Sequence, residues 1–296
     1  MLLPFDAHNH VHMGPTPLKD VNLNNCLSGM AVMSTHPRDF SNVLEMAKAT
    51  ISTTATILPC LGVHPWFLHE LTDEDWELSS TTTSIHKDED PTTASAVPRW
   101  IQEMEDLLLE HPQIPVGEIG LDNFHFDPTT KELTTPMATQ LLALEHQLSL
   151  ATKLQRPVSV HCVRAMGKIL EAFQKTHAKH KSLPPRIYFH AFGGKPSTVT
   201  QLYRTLESKC PTTKCYFGFA PIINFASPKT IQVIQTVGLD RLVLETDHED
   251  AARVPSSMAS GLQVVSEALD VSPQELITRT NQNVQELYYS WKTDSI

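Results

Sequence analysis

Two histidines spaced one residue apart, His8 and His10, follow the mostly apolar run 2–7. Such a run reads as a buried strand, and alternate strand side chains share a face, so both imidazoles point the same way at its end. Neutral imidazole is a common ligand of divalent transition metals. Other short apolar runs also end in ligand-type residues: His64 after 57–63, Glu118 and Asp122 within Gly117-Glu118-Ile119-Gly120-Leu121-Asp122, His161 after Val160, His190 after Phe189, and Asp247 in Leu244-Glu245-Thr246-Asp247. A carboxylate in a strand as apolar as that of Glu118 needs a counter-charge, and its two oxygens can bridge two cations. His8, His10 and Asp247 would complete one ion, His161 and His190 the other. Two such ions, roughly 3.5–4 Å apart, can activate a water and clamp both oxygens of an in-line displacement. The chemistry indicated is hydrolysis by a metal-activated water, with Asp247 able to accept its proton.

Those residues meet only if the strands are arranged around one mouth. Eight apolar runs qualify as strands: 3–8, 29–34, 57–63, 115–120, 158–162, 187–190, 215–219 and 242–245. Helical patterns alternate with them, at 39–50, 99–110, 137–153, 166–179, 197–208, 228–237, 256–269 and 273–289, the last opening on the cap Ser272-Pro273-Gln274-Glu275. Strict strand–helix alternation predicts a parallel sheet covered by helices, most economically a closed (β/α)8 TIM-like barrel formed by the whole chain, 1–296. An open doubly wound sheet would call for a glycine-rich turn after an early strand, and none follows. Segment 70–98 departs from the pattern. It is Thr/Ser-rich and poor in large apolar residues, and reads as a long, partly disordered insertion after strand three.

Composition narrows the function classes. Lys and Arg total 23 against 33 Asp and Glu, a formal charge of −10, which argues against a broadly basic nucleic-acid-binding surface. Bound cations would still permit a phosphate substrate. The five cysteines lack zinc-ribbon spacing and read as reduced thiols, and no apolar run is long enough to span a membrane. With the first strand beginning at once, no leader is expected, and the location indicated is cytoplasmic or nuclear.

Together, Asp6-Ala7-His8-Asn9-His10, Gly62-Val63-His64-Pro65, Gly117-Glu118-Ile119-Gly120-Leu121-Asp122, Val160-His161, His190-Ala191-Phe192-Gly193-Gly194 and Leu244-Glu245-Thr246-Asp247 resemble the TatD family of metal-dependent deoxyribonucleases, barrels of the amidohydrolase superfamily. The resemblance runs in order along nearly the whole chain. It implies His8, His10, Glu118, His161, His190 and Asp247 as metal ligands, with Glu118 bridging. It implies two divalent ions (Mg²⁺, Mn²⁺ or Zn²⁺) and 3′-to-5′ removal of nucleotides from DNA. His64, placed to face the mouth, is a candidate to bind a substrate oxygen, and Arg164 to reach a substrate phosphate. Arg164 stands one position further from the fifth-strand histidine than is usual in the family, and His248-Glu249-Asp250 follows Asp247 where a small residue and proline are common. These departures resemble a fungal-type branch, some of whose members are described as partners of a cell-cycle ubiquitin ligase.

Two other classes compete with a DNA phosphodiesterase. One is an amidohydrolase or esterase acting on a small molecule. Many such enzymes bridge their metals with a carboxylated lysine, whereas strand four supplies Glu118 and no Lys. The other is a protein-binding scaffold that retains the fold. Of the remaining residues near the mouth, Trp66 and Phe67 are candidates to stack a base, and Lys195 reads as a solvated surface lysine.

Overall fold

The computed structural model describes residues 2–23, 25–49, 55–79 and 96–290 of the chain. Eight strands run in order: β1 (Phe5–Asn9), β2 (Gly29–Met33), β3 (Thr56–Cys60), β4 (Val116–Asp122), β5 (Val158–Val163), β6 (Arg186–Phe189), β7 (Lys214–Gly218) and β8 (Leu242–Val243). The pairs β1–β2, β2–β3 and β4 through β8 are parallel ladders. Two seams join these sets into a ring. At the first, the Leu61 N–H donates to Pro115 O at 3.2 Å and the Gly117 N–H to Leu61 O at 2.8 Å, linking β3 to β4. At the second, the Ala7 N–H donates to Leu244 O at 2.8 Å and the Asp247 N–H to His8 O at 3.0 Å, linking β8 to β1. Between these two bonds the Thr246 N–H turns to the Asp6 carboxylate, 3.0 Å away, instead of to a backbone carbonyl. That side-chain substitution explains why β8 is regular over only two residues while its chain continues beside β1.

Helices cover the outside: α1 (Phe40–Ala49), α2 (Asp73–Trp76), α3 (Arg99–Glu110), α4 (Met137–Lys153), α5 (Met166–His180), α6 (Pro196–Leu202), α7 (Pro221–Asn224), α8 (Thr230–Val237), α9 (Val254–Leu269) and α10 (Pro273–Val284). The amphipathic stripe of α3 buries Trp100, Ile101, Met104 and Leu108 in the main apolar core. Two helical patterns end differently from their periodicity. The 197–208 pattern is α6 followed by a π-turn, Tyr203–Glu207, and 273–289 is α10 followed by a π-turn, Gln285–Tyr289. The Ser272 hydroxyl accepts the Glu275 N–H at 3.1 Å, as its position before Pro273 implies.

The insertion after strand three is anchored at both ends. On one side lie a 3₁₀ turn, Leu68–Glu70, and α2, which Thr72 and Asp75 close with a capping box. Leu78 bridges Pro98, and the Trp76 ring meets Trp100 edge-on at 5.8 Å. The stretch 80–95, which carries most of the expected disorder, lies outside the described residues.

Inside the barrel, Phe5, Ala7, Met33, Leu58, Cys60, Tyr188, Tyr216 and Val243 form a second apolar cluster with Val284, Leu287 and Tyr288 of the C-terminal segment. The chain end thus plugs the amino end of the barrel. Asn281 fixes the plug: its side chain donates to Leu3 O at 2.8 Å and accepts the Phe5 N–H at 3.1 Å, just ahead of β1. No helix among the described residues is long and apolar enough to cross a membrane.

Candidate metal centre

Period-two alternation along β4 puts Glu118, Gly120 and Asp122 on one face. Gly120 has φ 155°, and a Cβ there would lie 2.0 Å from His161 O, so glycine is what permits β4 to approach β5 at this level. Glu118 is thereby pressed into a ring of imidazoles from the ends of β1, β5 and β6 and from His64 after β3. His10 Nε2 lies 2.9 Å and His8 Nε2 3.3 Å from its Oε2. His190 Nε2 lies 2.5 Å, His161 Nδ1 2.9 Å and His64 Nε2 3.4 Å from its Oε1. Asp247, in left-handed backbone with φ 56°, turns its Oδ1 to within 3.7 Å of His8, 3.8 Å of His10 and 4.0 Å of His190. The structure therefore brings His8, His10, Glu118, His161, His190 and Asp247 together at one mouth.

Outer partners fix which nitrogen of each ring faces inward. The His10 Nδ1–H donates to Met33 O at 3.0 Å, leaving Nε2 for the centre. The His161 Nε2–H donates to Asp122 Oδ2 at 3.0 Å, leaving Nδ1. His8 Nδ1 is paired with Ser159 Oγ at 3.0 Å, and its ring stacks on His190 with centroids 3.8 Å apart. The consequence is electrostatic. His8 Nε2 meets His10 Nε2 at 3.3 Å, and His161 Nδ1 meets His190 Nε2 at 3.3 Å. With the rings neutral, His10 Nε2 and His161 Nδ1 each turn a lone pair toward a second imidazole nitrogen beside a buried carboxylate. His190 Nδ1 is buried without a hydrogen bond. Such a centre calls for positive charge, from protons or a cation.

The protonation tendencies agree. Burial works against charge on His161, yet its bonds to Asp122 and Glu118 win and push it up to about 9. His10 is likewise raised, against its burial, by Glu118 and Asp247. His8 falls well below the usual histidine range through burial and the neighbouring His190. Burial disfavours charge on Glu118, but His190, His64 and His8 hold it well below the usual carboxylate range. A bound metal cation fits this donor set and would displace the protons. Three groupings bring three donor atoms within 4.8 Å of one another: His8, His10 and Asp247; His64, Glu118 and His161; and His8, His190 and Glu245.

Asp122 ends the strand-four run but has no part in the expected ligand or substrate-binding set. Besides His161, its Oδ2 accepts the Trp66 Nε1–H at 2.7 Å, and its Oδ1 accepts the Phe124 and His125 N–H groups at 2.7 and 3.0 Å. Burial opposes its charge, but these bonds hold the carboxyl down at about 2. Its same-face spacing from Glu118 was the available signal. Glu245 is also at the centre's inner edge, where it accepts the Tyr188 hydroxyl and, at 2.6 Å, the Ala191 N–H.

His64 lines the mouth. Its Nδ1 accepts the Trp66 N–H at 3.1 Å, which leaves Nε2–H facing Glu118. Burial depresses its pKa to about 4, so the ring is neutral. The cavity over the centre measures about 390 Å³ and includes Met13, Trp66, Phe67, Ile222, Ile223, Glu249 and Asp250 in its walls. Trp66 is tied down by Asp122 and stacks on His125 at 4.4 Å, and so is held rigidly at the rim. Arg164 is not in this cavity. Its guanidinium lies 3.8 Å over the Phe124 ring and lines a neighbouring groove.

Comparison with known proteins agrees with this geometry. The family described as TatD related DNase matches residues 5–289. The chain is 28% identical to Cut9-interacting protein scn1 of Schizosaccharomyces pombe, over 94% of this chain and 96% of that one. It is 26% identical to human deoxyribonuclease TATDN3, over 88% and 83% respectively. Among solved structures, the TatD homologue YjjV from Escherichia coli K12 superposes with a TM-score of 0.71 at 22% identity, covering 96% of this chain and 97% of that one.

Proposed function

The chain belongs to the TatD-related DNase family, and from that membership we propose that it is a metal-dependent phosphodiesterase removing nucleotides from the 3′ end of DNA. The observation that carries this reading is the buried Glu118 carboxylate, surrounded by inward-facing imidazole nitrogens and facing Asp247 across the mouth. His8, His10 and Asp247 would hold one divalent ion and His161 and His190 the other, with Glu118 between them. When bound, such ions neutralise phosphate charge and acidify water.

The residues have distinct tasks in this scheme. The Asp247 carboxylate opens to the cavity, where it can accept a proton from an attacking water. Neutral His64 presents its Nε2–H at the mouth, where it can donate to a substrate oxygen. Trp66 and the exposed Ile222 and Ile223 give a terminal base an apolar wall. Asp122 aims His161 and stabilises its protonated outer nitrogen. Asp122→Asn is expected to lower metal affinity about 10- to 100-fold, measured by metal titration, since such supporting carboxylates usually matter that much.

The direct test supplies metal-stripped protein with Mg²⁺, Mn²⁺ or Zn²⁺ and end-labelled single- and double-stranded DNA, alongside RNA and a panel of esters and amides. Stepwise metal-dependent loss of 3′ nucleotides is expected. Protein that leaves every nucleic acid intact and cleaves an amide would sink the reading. The fission-yeast relative, a Cut9-interacting protein by name, supports a protein partner as a second role, readable by affinity capture with the Glu118→Gln protein.

A further inference from the structure

Charge is distributed unevenly around the mouth. The walls of the catalytic cavity hold Glu118, Asp247, Glu249 and Asp250 and not one Lys or Arg. Beside it, sharing Ile223 and reached directly after His190 through Ala191, runs an open groove of about 1110 Å³. It lies between the β5–α5 loop, the β6–α6 loop and the α7–α8 connection. Its walls hold Arg164, Lys195 and Lys229 and no acidic residue. All three cations are exposed, and none has a carboxylate within ion-pair distance among the described residues. At the groove's edge Arg164 lies on Phe124, which meets Phe126 edge-on at 5.9 Å, and the two rings are 51% and 46% exposed.

We propose that this groove carries the backbone of a single-stranded polynucleotide whose scissile end lies over Glu118 and the histidine ring, with Arg164, Lys195 and Lys229 as its phosphate contacts. This deepens, and rests on, the phosphodiesterase reading. Unpaired cations in a groove leading into the centre match the repeated charge of a strand. Exposed aromatic rings beside them suit unstacked bases, which a duplex hides; an acidic peptide would supply the charge but no flat bases. In the cavity itself, Glu249 and Asp250 repel a continuing phosphate, so the strand ends there. That arrangement yields cleavage from a terminus rather than within a chain, from charge placement alone.

The test measures binding without cleavage. Fluorescein-labelled 12-mers of DNA and of RNA are titrated in EDTA against the wild type, a Lys195→Glu/Lys229→Glu variant and a charge-matched Lys179→Glu/Lys181→Glu variant. The last pair lies at the far end of α5. The groove variant is expected to bind at least about tenfold more weakly, and its log-affinity against log-salt slope to fall by about 1.4, roughly 0.7 per lost phosphate contact. The control pair should stay within about twofold, and both variants should keep the wild-type thermal midpoint. Separate DNA and RNA titrations show whether the groove distinguishes the sugar. Equal losses in the two variants, an unchanged salt slope, or displacement of the 12-mer by a poly-glutamate peptide as readily as by unlabelled oligonucleotide would overturn the proposal. Failure of the phosphodiesterase reading looks different: the 12-mer still binds in EDTA, and no metal induces cleavage.

Discussion

Glu118→Gln is expected to lower kcat/KM for metal-dependent hydrolysis by at least about a thousandfold while leaving the metal-free protein folded. The substitution keeps the shape of the side chain and removes one charge from the point where four strands converge. The carboxylate is 1% exposed and touches the rings of His8, His10, His161 and His190. A glutamine in its place sets an NH₂ group against imidazole nitrogens and cannot hold two cations with two equivalent oxygens. Lewis-acid stabilisation worth several kcal/mol is then lost, and each 1.36 kcal/mol is a factor of ten in rate. A thermal-shift titration separates binding from chemistry. Metal at about a hundred times its Kd should stabilise the wild type by about 2.7 kcal/mol, and the variant should gain little at the same concentration. A variant that still gains that stability and still releases nucleotides would remove Glu118 from the centre of the scheme.

How much of this was legible beforehand depends on whether the cause was local. His8, His10, Glu118, His161, His190 and Asp247 each end an apolar run, and alternation along a strand together with barrel closure is enough to place them at one mouth. Asp122 needed more. Its bond to His161 depends on the register of β4 against β5, with Gly120 beside His161 and Leu121 beside Cys162, and no residue of β4 states that register. Arg164 stands close to His161 in the chain, but a left-handed turn at φ 51° directs it onto Phe124 and away from the ligand cluster. Lys195 and Lys229 look like ordinary surface lysines in sequence. Only the packing of α6 and α8 around one groove makes them neighbours of Arg164. The seam at Asp6 was hidden for a similar reason. Burial lifts that carboxyl to about 7, and its bonds to Thr246, Asn9 and the His8 N–H matter only once β8 lies against β1.

The plug in the barrel floor was the least visible element, and removing its largest side chain carries the largest expected loss of stability. Tyr288 is 1% exposed, donates its hydroxyl to Ala7 O at 3.0 Å, and meets the Tyr188 ring edge-on at 6.4 Å. Nothing in a C-terminal helical pattern says that one of its tyrosines enters the barrel. Tyr288→Ala is expected to cost about 3–5 kcal/mol, the usual range for deleting a buried aromatic ring. At about 2–4 °C per kcal/mol for larger domains, the thermal midpoint should fall by on the order of 10 °C. Tyr288→Phe keeps the ring and strands the Ala7 carbonyl, costing about 1–3 kcal/mol. The two variants also test whether floor and mouth are mechanically linked. Ala7 immediately precedes His8 on β1, so a cavity beneath it gives the first ligand strand room to shift. Tyr288→Ala should therefore weaken metal binding as well as stability, through the β1 backbone, while Tyr288→Phe should leave metal affinity near wild type. Unfolding curves and metal titrations on the same samples read both effects. Full metal affinity in a destabilised Tyr288→Ala protein would show that β1 is held in place by its ladders to β2 and β8 alone.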